Sequence, residues 1–167
     1  LKKNKNKIIF LDKSLENFYY IELILNIYPN AKFIHSYRNP VDNIFAIYKQ
    51  FLPNISWSHT IEDILLYIDN YLKVIDFFQK RYPNEIFSVS LENFSKNPRK
   101  ISKQIYEFCD LRWSENCMNF YKRRDLFINT ASNNQMRNKI EQYNYNKYEP
   151  YRKTLKIYQK TYSWLKL

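Results

Sequence analysis

Apolar positions along this chain recur with two different periods, and the alternation between them lays out strands and helices in turn. Residues 7–12 hold the short apolar run IIFL, which ends at Lys13-Ser14 and reads as a strand. Residues 32–37 form a second run, ending at Arg38 with Asn39-Pro40 directly after it. Asn is a strong N-cap and Pro is preferred at the first helical position, so a helix is predicted to begin there. Pro40 to Phe51 then carries Ile44, Ile47, Tyr48 and Phe51 on one helical face. Residues 52–59 form a loop containing Pro53. Beyond it, Thr60 caps a long helix with Ile61, Ile64, Leu65, Ile68, Leu72 and Ile75 at i, i+3, i+4, i+7 spacing. That helix stops before Pro83, and residues 85–91 read as a third strand. Asn97-Pro98 opens another helix with Ile101, Ile105 and Phe108 inward. Trp113-Ser114 leads into a short helix around Cys117 to Tyr121. Residues 123–146 are polar and irregular, and residues 150–165 close the chain with a helix.

Strands that alternate with helices predict an α/β fold with a parallel sheet. Ligands of such sheets bind beyond the carboxyl ends of the strands. Lys13 and Arg38 each stand at a predicted strand end and face a helix N-terminus, which makes the pair a candidate polyanion site. Both end strands of one β-α-β unit, so they are expected on adjacent tips of one sheet edge.

The motifs Asp12-Lys13, Asn17-Phe18, Pro29-Asn30-Ala31-Lys32 and Arg38-Asn39-Pro40-Val41-Asp42 stand in order. This set resembles the sulfotransferases that use 3'-phosphoadenosine 5'-phosphosulfate (PAPS), with most likeness to the bacterial tetratricopeptide-linked and tyrosylprotein branches. Val89 to Phe94 (VSLENF), Asn97-Pro98, Asn129 to Ser132 with Gln135 and Arg137, and Asn146 to Tyr148 before Tyr151 extend the resemblance over nearly the whole chain. It implies one sulfotransferase-like domain over residues 1–167, built as a three-layer αβα sandwich around a parallel sheet of the P-loop nucleotide-kinase type. It also implies PAPS as co-substrate, an acceptor hydroxyl or amine, and no metal.

Sulfuryl transfer develops charge on the bridging oxygen of the leaving nucleotide, so it needs a cation there and a base on the acceptor. By the resemblance Lys13 is that cation and the catalytic residue. Arg38 matches the residue that binds the nucleotide 3'-phosphate, for which its planar fork is suited. In the family a Ser eight residues beyond this Arg also binds the phosphate. Here that position is Ala46, which removes one hydrogen bond, about 1–3 kcal/mol with a charged partner. Lys49, one turn on, supplies charge in its place. The plainer role for Arg38 is an ion pair with Asp42, four residues along. Thr130 and Ser132, with Gln135 and Arg137, match the segment that covers the adenosine and its 3'-phosphate. Lys147 matches a basic residue that precedes an aromatic near the nucleotide. The alternative for both is a solvated polar loop. No general base emerges, because Leu15 stands where the cytosolic branch has a His. His35 lies inside a strand, where a packing role is the expectation, and His59 lies in a loop.

Composition changes this picture in one respect. The chain has no glycine, where average usage of roughly 7% would give about a dozen. A loop that cradles phosphate with its backbone needs residues without Cβ at the close approach. In the family that loop lies upstream of the segment matched by residues 7–14, so a sulfotransferase lacking its first βα unit is expected. Neither an 18-residue apolar run nor a secretory pattern is present, and a cytoplasmic chain without a membrane span is expected. Cys109 and Cys117 form no C-x-x-C and have no paired His, which argues against zinc. The net charge of +11 suits a nucleic-acid or other polyanion partner. Yet Asn, Lys, Ile and Tyr, whose codons are AT-rich, make up 74 of the 167 residues. Genome composition is the weightier explanation of the charge. The rival to an enzyme is a non-catalytic remnant whose basic surface binds polyanions.

Overall fold

A computed structural model describes residues 9–50, 52–123 and 136–167, and the chain divides into two compact units, Leu1–Ala31 and Lys32–Leu167. In the first unit a 3₁₀ turn, Asn17–Tyr20, runs into helix α1, Ile21–Ile27. The Asn17 side-chain amide donates to the Asp12 carboxylate at 2.7 Å. The strand expected at residues 7–12 is not formed over its described part: residues 9–12 lie outside any strand, and Phe10 and Leu11 are each 88% exposed. An apolar run becomes a strand only when its N–H and C=O groups find a ladder, and these residues have none. Lys13 therefore stands in an irregular segment and not at a strand tip.

The second unit is built on β1, Phe33–Tyr37, and β2, Ile86–Ser90, which pair in parallel from Phe33↔Ile86 to Tyr37↔Ser90. The register sets the two carboxyl ends side by side. Between the strands run α2, Pro40–Gln50, a 3₁₀ turn at Ser56–Ser58, and α3, Ile61–Arg81. Both helix starts follow from their caps. Asn39 Oδ1 accepts the Val41 amide at 2.9 Å, and Thr60 Oγ1 accepts the Asp63 amide at 3.1 Å. Helix α3 also carries Glu62 and Asp63 in its first turn and Lys80 and Arg81 in its last, each favourable to the helix dipole.

Beyond β2 the chain turns directly into α4, Leu91–Lys96, capped by Ser90 Oγ on the Asn93 amide at 3.1 Å. Six residues are too few to show a helical period, so α4 is not legible as a separate helix in the sequence. Helix α5, Pro98–Phe108, begins at the expected Asn97-Pro98. The later helical segments take 3₁₀ form, over Glu115–Lys122 and Glu149–Tyr158. The expected helix over residues 150–165 thus ends early, and turns carry the chain on to Leu165.

The core lies where α2 and α3 meet the C-terminal segment, with Val41, Ile44, Ile64, Leu65, Ile68, Leu155 and Leu165 buried together. Phe87 of β2 packs on Phe108 of α5, ring centres 5.3 Å apart. On the other side of the pleat, His35 Nδ1 meets Ser88 Oγ at 3.0 Å and Nε2 meets the Tyr71 hydroxyl of α3. Gln79, farther along α3, also donates to Ser88. His35 is a packed strand residue with both ring nitrogens engaged.

Ile64 is fully buried, so Ile64→Ala is expected to lower unfolding free energy by about 2–5 kcal/mol. Thr60→Ala removes the cap and an exposed hydrogen bond to the Asp63 carboxylate, and is expected to cost about 1 kcal/mol. Urea unfolding checks both, and equal costs would contradict this core.

Burial lowers the His35 pKa below its ordinary 6.5. The unfolded chain therefore takes up a proton first as pH falls, and this contribution is complete above about pH 6.5 and lost below it. The wild type is expected to lose more stability between pH 7 and 5 than His35→Gln. Parallel losses in urea midpoints would show that His35 is not held neutral.

Candidate functional site

The site is assembled at the carboxyl ends of β1 and β2, where Arg38 follows one strand and Ser90 ends the other. Arg38 is half-buried, and its Nε donates to Asn43 Oδ1, one turn into α2. Among the described residues its two terminal nitrogens have no hydrogen-bond partner. The guanidinium is thus held by its inner edge and open at its outer fork. The Asn39 amide donates to Glu92 Oε1 at 2.7 Å, and Ser90 Oγ donates to Glu92 Oε2 at 2.8 Å.

Beside these tips lies a cavity of about 520 Å³, lined by Asn39, Asp42, Ser90, Glu92, Tyr143 and Arg152 among others. Asp42 is 1% exposed. Its Oδ2 accepts from the Tyr143 hydroxyl and its Oδ1 from Arg152 at 3.3 Å. Arg152 Nε also lies 3.2 Å from a Glu149 oxygen, an ion pair without hydrogen-bond direction. Burial first, then the hydrogen bond to Asp42, pushes the Tyr143 phenol well above its usual range, while the Arg38 charge pulls the other way. Tyr143 thus stays protonated and donating. The Tyr143 amide donates in turn to Ser95 Oγ at 3.1 Å, which ties the segment to α4.

The cavity itself is unsuited to an anion. Asp42, Glu92 and Glu149 face it, and Arg152 is the basic residue on its wall. Arg38 is not among its lining residues. Asp42 is spent on Arg152 and Tyr143, so the simple i, i+4 pairing with Arg38 is not what the carboxylate does.

Lys13 is exposed in the first unit. Lys49 is exposed in the last turn of α2, roughly 13 Å along the axis from Pro40, where it complements the helix dipole. Ala46 is half-buried on the same helix. Arg137 donates through Nη1 to the Arg123 carbonyl. The Lys147 ammonium lies over the Tyr148 ring at 5.3 Å, and Tyr148 stacks on Phe45 of α2. Thr130 and Ser132, with Gln135, lie outside the described residues. His59 rests on the Leu52 carbonyl at 3.0 Å. Among the described residues no group of His, Cys, Asp or Glu is arranged to hold a metal ion. None of the described helices is long and apolar enough to cross a membrane.

Sequence reasoning missed Glu92, Tyr143 and Arg152 as parts of one site. Glu92 sits inside the VSLENF match, which was the available signal. Tyr143 and Arg152 lie 101 and 110 residues from Asp42, in a stretch without period or motif strength.

The chain belongs to the sulfotransferase family, whose sequence model matches residues 1–115. It is also similar to a protein of Aquifex aeolicus (strain VF5) described only as uncharacterized, with 28% identity over 149 residues. The match covers 87% of this chain and 19% of that protein, so the chain spans about a fifth of its relative's length.

Removing one partner of a buried ion pair leaves the other charge uncompensated. Arg152→Ala is expected to destabilise the protein by about 3 kcal/mol, and Asp42→Asn in the same chain to recover a substantial part. Urea unfolding of both variants decides it, and additive losses would mean the two residues act independently.

Proposed function

We propose that this chain carries the 3'-phosphate half of a PAPS site and serves sulfuryl transfer to an acceptor hydroxyl or amine. The observation that supports it most is the Arg38 guanidinium, fixed through Nε with its two terminal nitrogens open at the carboxyl end of β1. A planar fork so held suits bidentate contact with a phosphate, and the α2 N-terminus adds its dipole. In the transfer, the acceptor oxygen or nitrogen attacks sulfur and the bond from sulfur to the bridging phosphate oxygen breaks. The leaving 3'-phosphoadenosine 5'-phosphate takes the electron pair, and the acceptor proton passes to a base. Lys13 is assigned the cation that meets charge on the bridging oxygen. Arg137 and Lys147, with Thr130 and Ser132, are assigned to the nucleotide, and Lys49 contributes attraction at longer range. The fold proposed is the three-layer, nucleotide-kinase type, of which the two parallel strands form the part beside Arg38.

A second reading has one observation in its favour. A groove of about 590 Å³ at the start of α5 is lined by Lys96, Arg99, Lys100 and Lys103, with Glu107 the acid among its lining residues. Arg99 is paired with Glu115 at 2.5 Å, which leaves the charges of three lysines for a polyanion such as nucleic acid, with Lys96 seated over the Tyr145 ring and Lys103 over the Trp113 ring.

Titration calorimetry with 3'-phosphoadenosine 5'-phosphate and with 5'-AMP separates the readings. Binding of the former near the millimolar end is expected, about −4 kcal/mol. It should exceed that of 5'-AMP, and Arg38→Ala should remove the difference. Equal binding of the two nucleotides, or a preference that survives the substitution, would refute Arg38 as the phosphate ligand. Strong salt-dependent binding of an oligonucleotide, lost on neutralising Lys96, Lys100 and Lys103, would favour the second reading.

A further inference from the structure

Glu92 does something unusual for an acid in the first turn of a helix. In an ordinary capping box the acid stands at the third helical position and reaches back to its own helix's N-cap amide. Glu92 stands at the second position of α4, whose cap is already supplied by Ser90 Oγ on the Asn93 amide. Its carboxylate reaches out of α4 to the Asn39 amide, 53 residues away in sequence, with the other oxygen on the Ser90 hydroxyl. One carboxylate thereby joins Ser90, in the last ladder pair Tyr37↔Ser90, to Asn39, two residues beyond the end of β1. The bond it accepts is charge-assisted and short at 2.7 Å.

From this we infer that Glu92 is a positioning residue for the Arg38 phosphate fork, an inference that rests on the reading of Arg38 given above. Arg38 is bracketed on both sides. Tyr37 is fixed by the ladder before it, and Asn39 is fixed after it by Glu92 on the amide and by its own cap on Val41. The Arg38 side chain is then aimed by Asn43. A fork whose backbone and inner nitrogen are both set loses little freedom when phosphate binds, so more of the contact energy appears as affinity. Without the carboxylate, the Asn39 amide loses its partner and the junction on which Arg38 is mounted loosens. Glu92 touches no ligand in this scheme and acts through Arg38.

The test is the ratio of affinities for 3'-phosphoadenosine 5'-phosphate and 5'-AMP, measured by calorimetry on the full chain. Circular dichroism and the urea midpoint are followed in parallel. The ratio isolates the 3'-phosphate, whereas general loosening of the site would weaken both nucleotides together. Glu92→Ala is expected to cut the ratio roughly tenfold, the scale of one charge-assisted hydrogen bond. Glu92→Gln keeps an acceptor for the Asn39 amide without the charge and should fall between wild type and Glu92→Ala. The isosteric Gln variant carries the test if the Ala variant does not fold. A wild-type ratio retained in both variants, while Arg38→Ala abolishes it, overturns the Glu92 inference alone. A ratio that rises in Glu92→Ala also overturns it, because the carboxylate would then be a competitor of the phosphate. A wild type without any preference overturns the Arg38 reading itself and leaves Glu92 nothing to position.

Discussion

The second unit is organised around one buried negative charge. Asp42 sits at the third position of α2 among Val41 and Ile44, which belong to the core. A carboxylate withdrawn from water is costly unless hydrogen bonds and an opposite charge answer it. Here the answer comes from Tyr143 and Arg152, both on the C-terminal segment. That segment has little regular structure of its own: residues 139–144 form no helix or strand, and Glu149–Tyr158 takes 3₁₀ form. It is held by specific anchors, Leu155 and Leu165 in the core and the two donors on Asp42. Burial of the leucines is non-directional, whereas the carboxylate specifies which donor goes where. The charge thus costs solvation and in return fixes the register of the segment against α2.

The same end of the sheet shows why net charge is a poor guide to where an anion would bind. The chain carries +11, yet the wall of the cavity at the strand ends holds three carboxylates and one guanidinium. Each acid has a structural partner: Asp42 has Arg152 and Tyr143, Glu92 has the Asn39 amide and Ser90, and Glu149 has Arg152. These carboxylates act as braces. Arg38 is held by Asn43 through Nε and pairs with none of them, so among the described residues its fork carries no hydrogen bond. Recognition here would depend on how one guanidinium is mounted, with the surface lysines adding screened attraction at longer range.

What could be read from the sequence divides along a physical line. Helix α3 was legible because its period, its Thr60 cap and Pro83 are all local, and each is confirmed within a residue or two. Asn39-Pro40 gave the start of α2 for the same reason. Over its described residues the first strand does not form, because strandedness is a relation between segments: IIFL has the right composition, and residues 9–12 have no ladder. Arg38 could be picked out as a strand-end cation. The role of Asp42 could not, since its nearest basic neighbour in helical register was Arg38 while its partners lie more than 100 residues on. Glu92 was visible as a motif letter, but nothing local indicates that its carboxylate leaves its own helix.

The clamp on Asn39 and the brace on Asp42 lie on the same few residues at the start of α2, and they constrain it from different directions. Glu92 holds the amide at the N-cap toward β2 and α4. Asp42, three residues on, is drawn by Tyr143 and Arg152 toward the C-terminal segment. Tyr143 closes the circuit, because its amide bonds to Ser95 of α4, the helix that carries Glu92. Such a closed loop of hydrogen bonds makes the mounting of Arg38 a property of three chain segments at once. If Arg38 holds the phosphate as proposed, loosening any one of them would loosen its mounting, and residues that never meet a ligand would govern how well one is held.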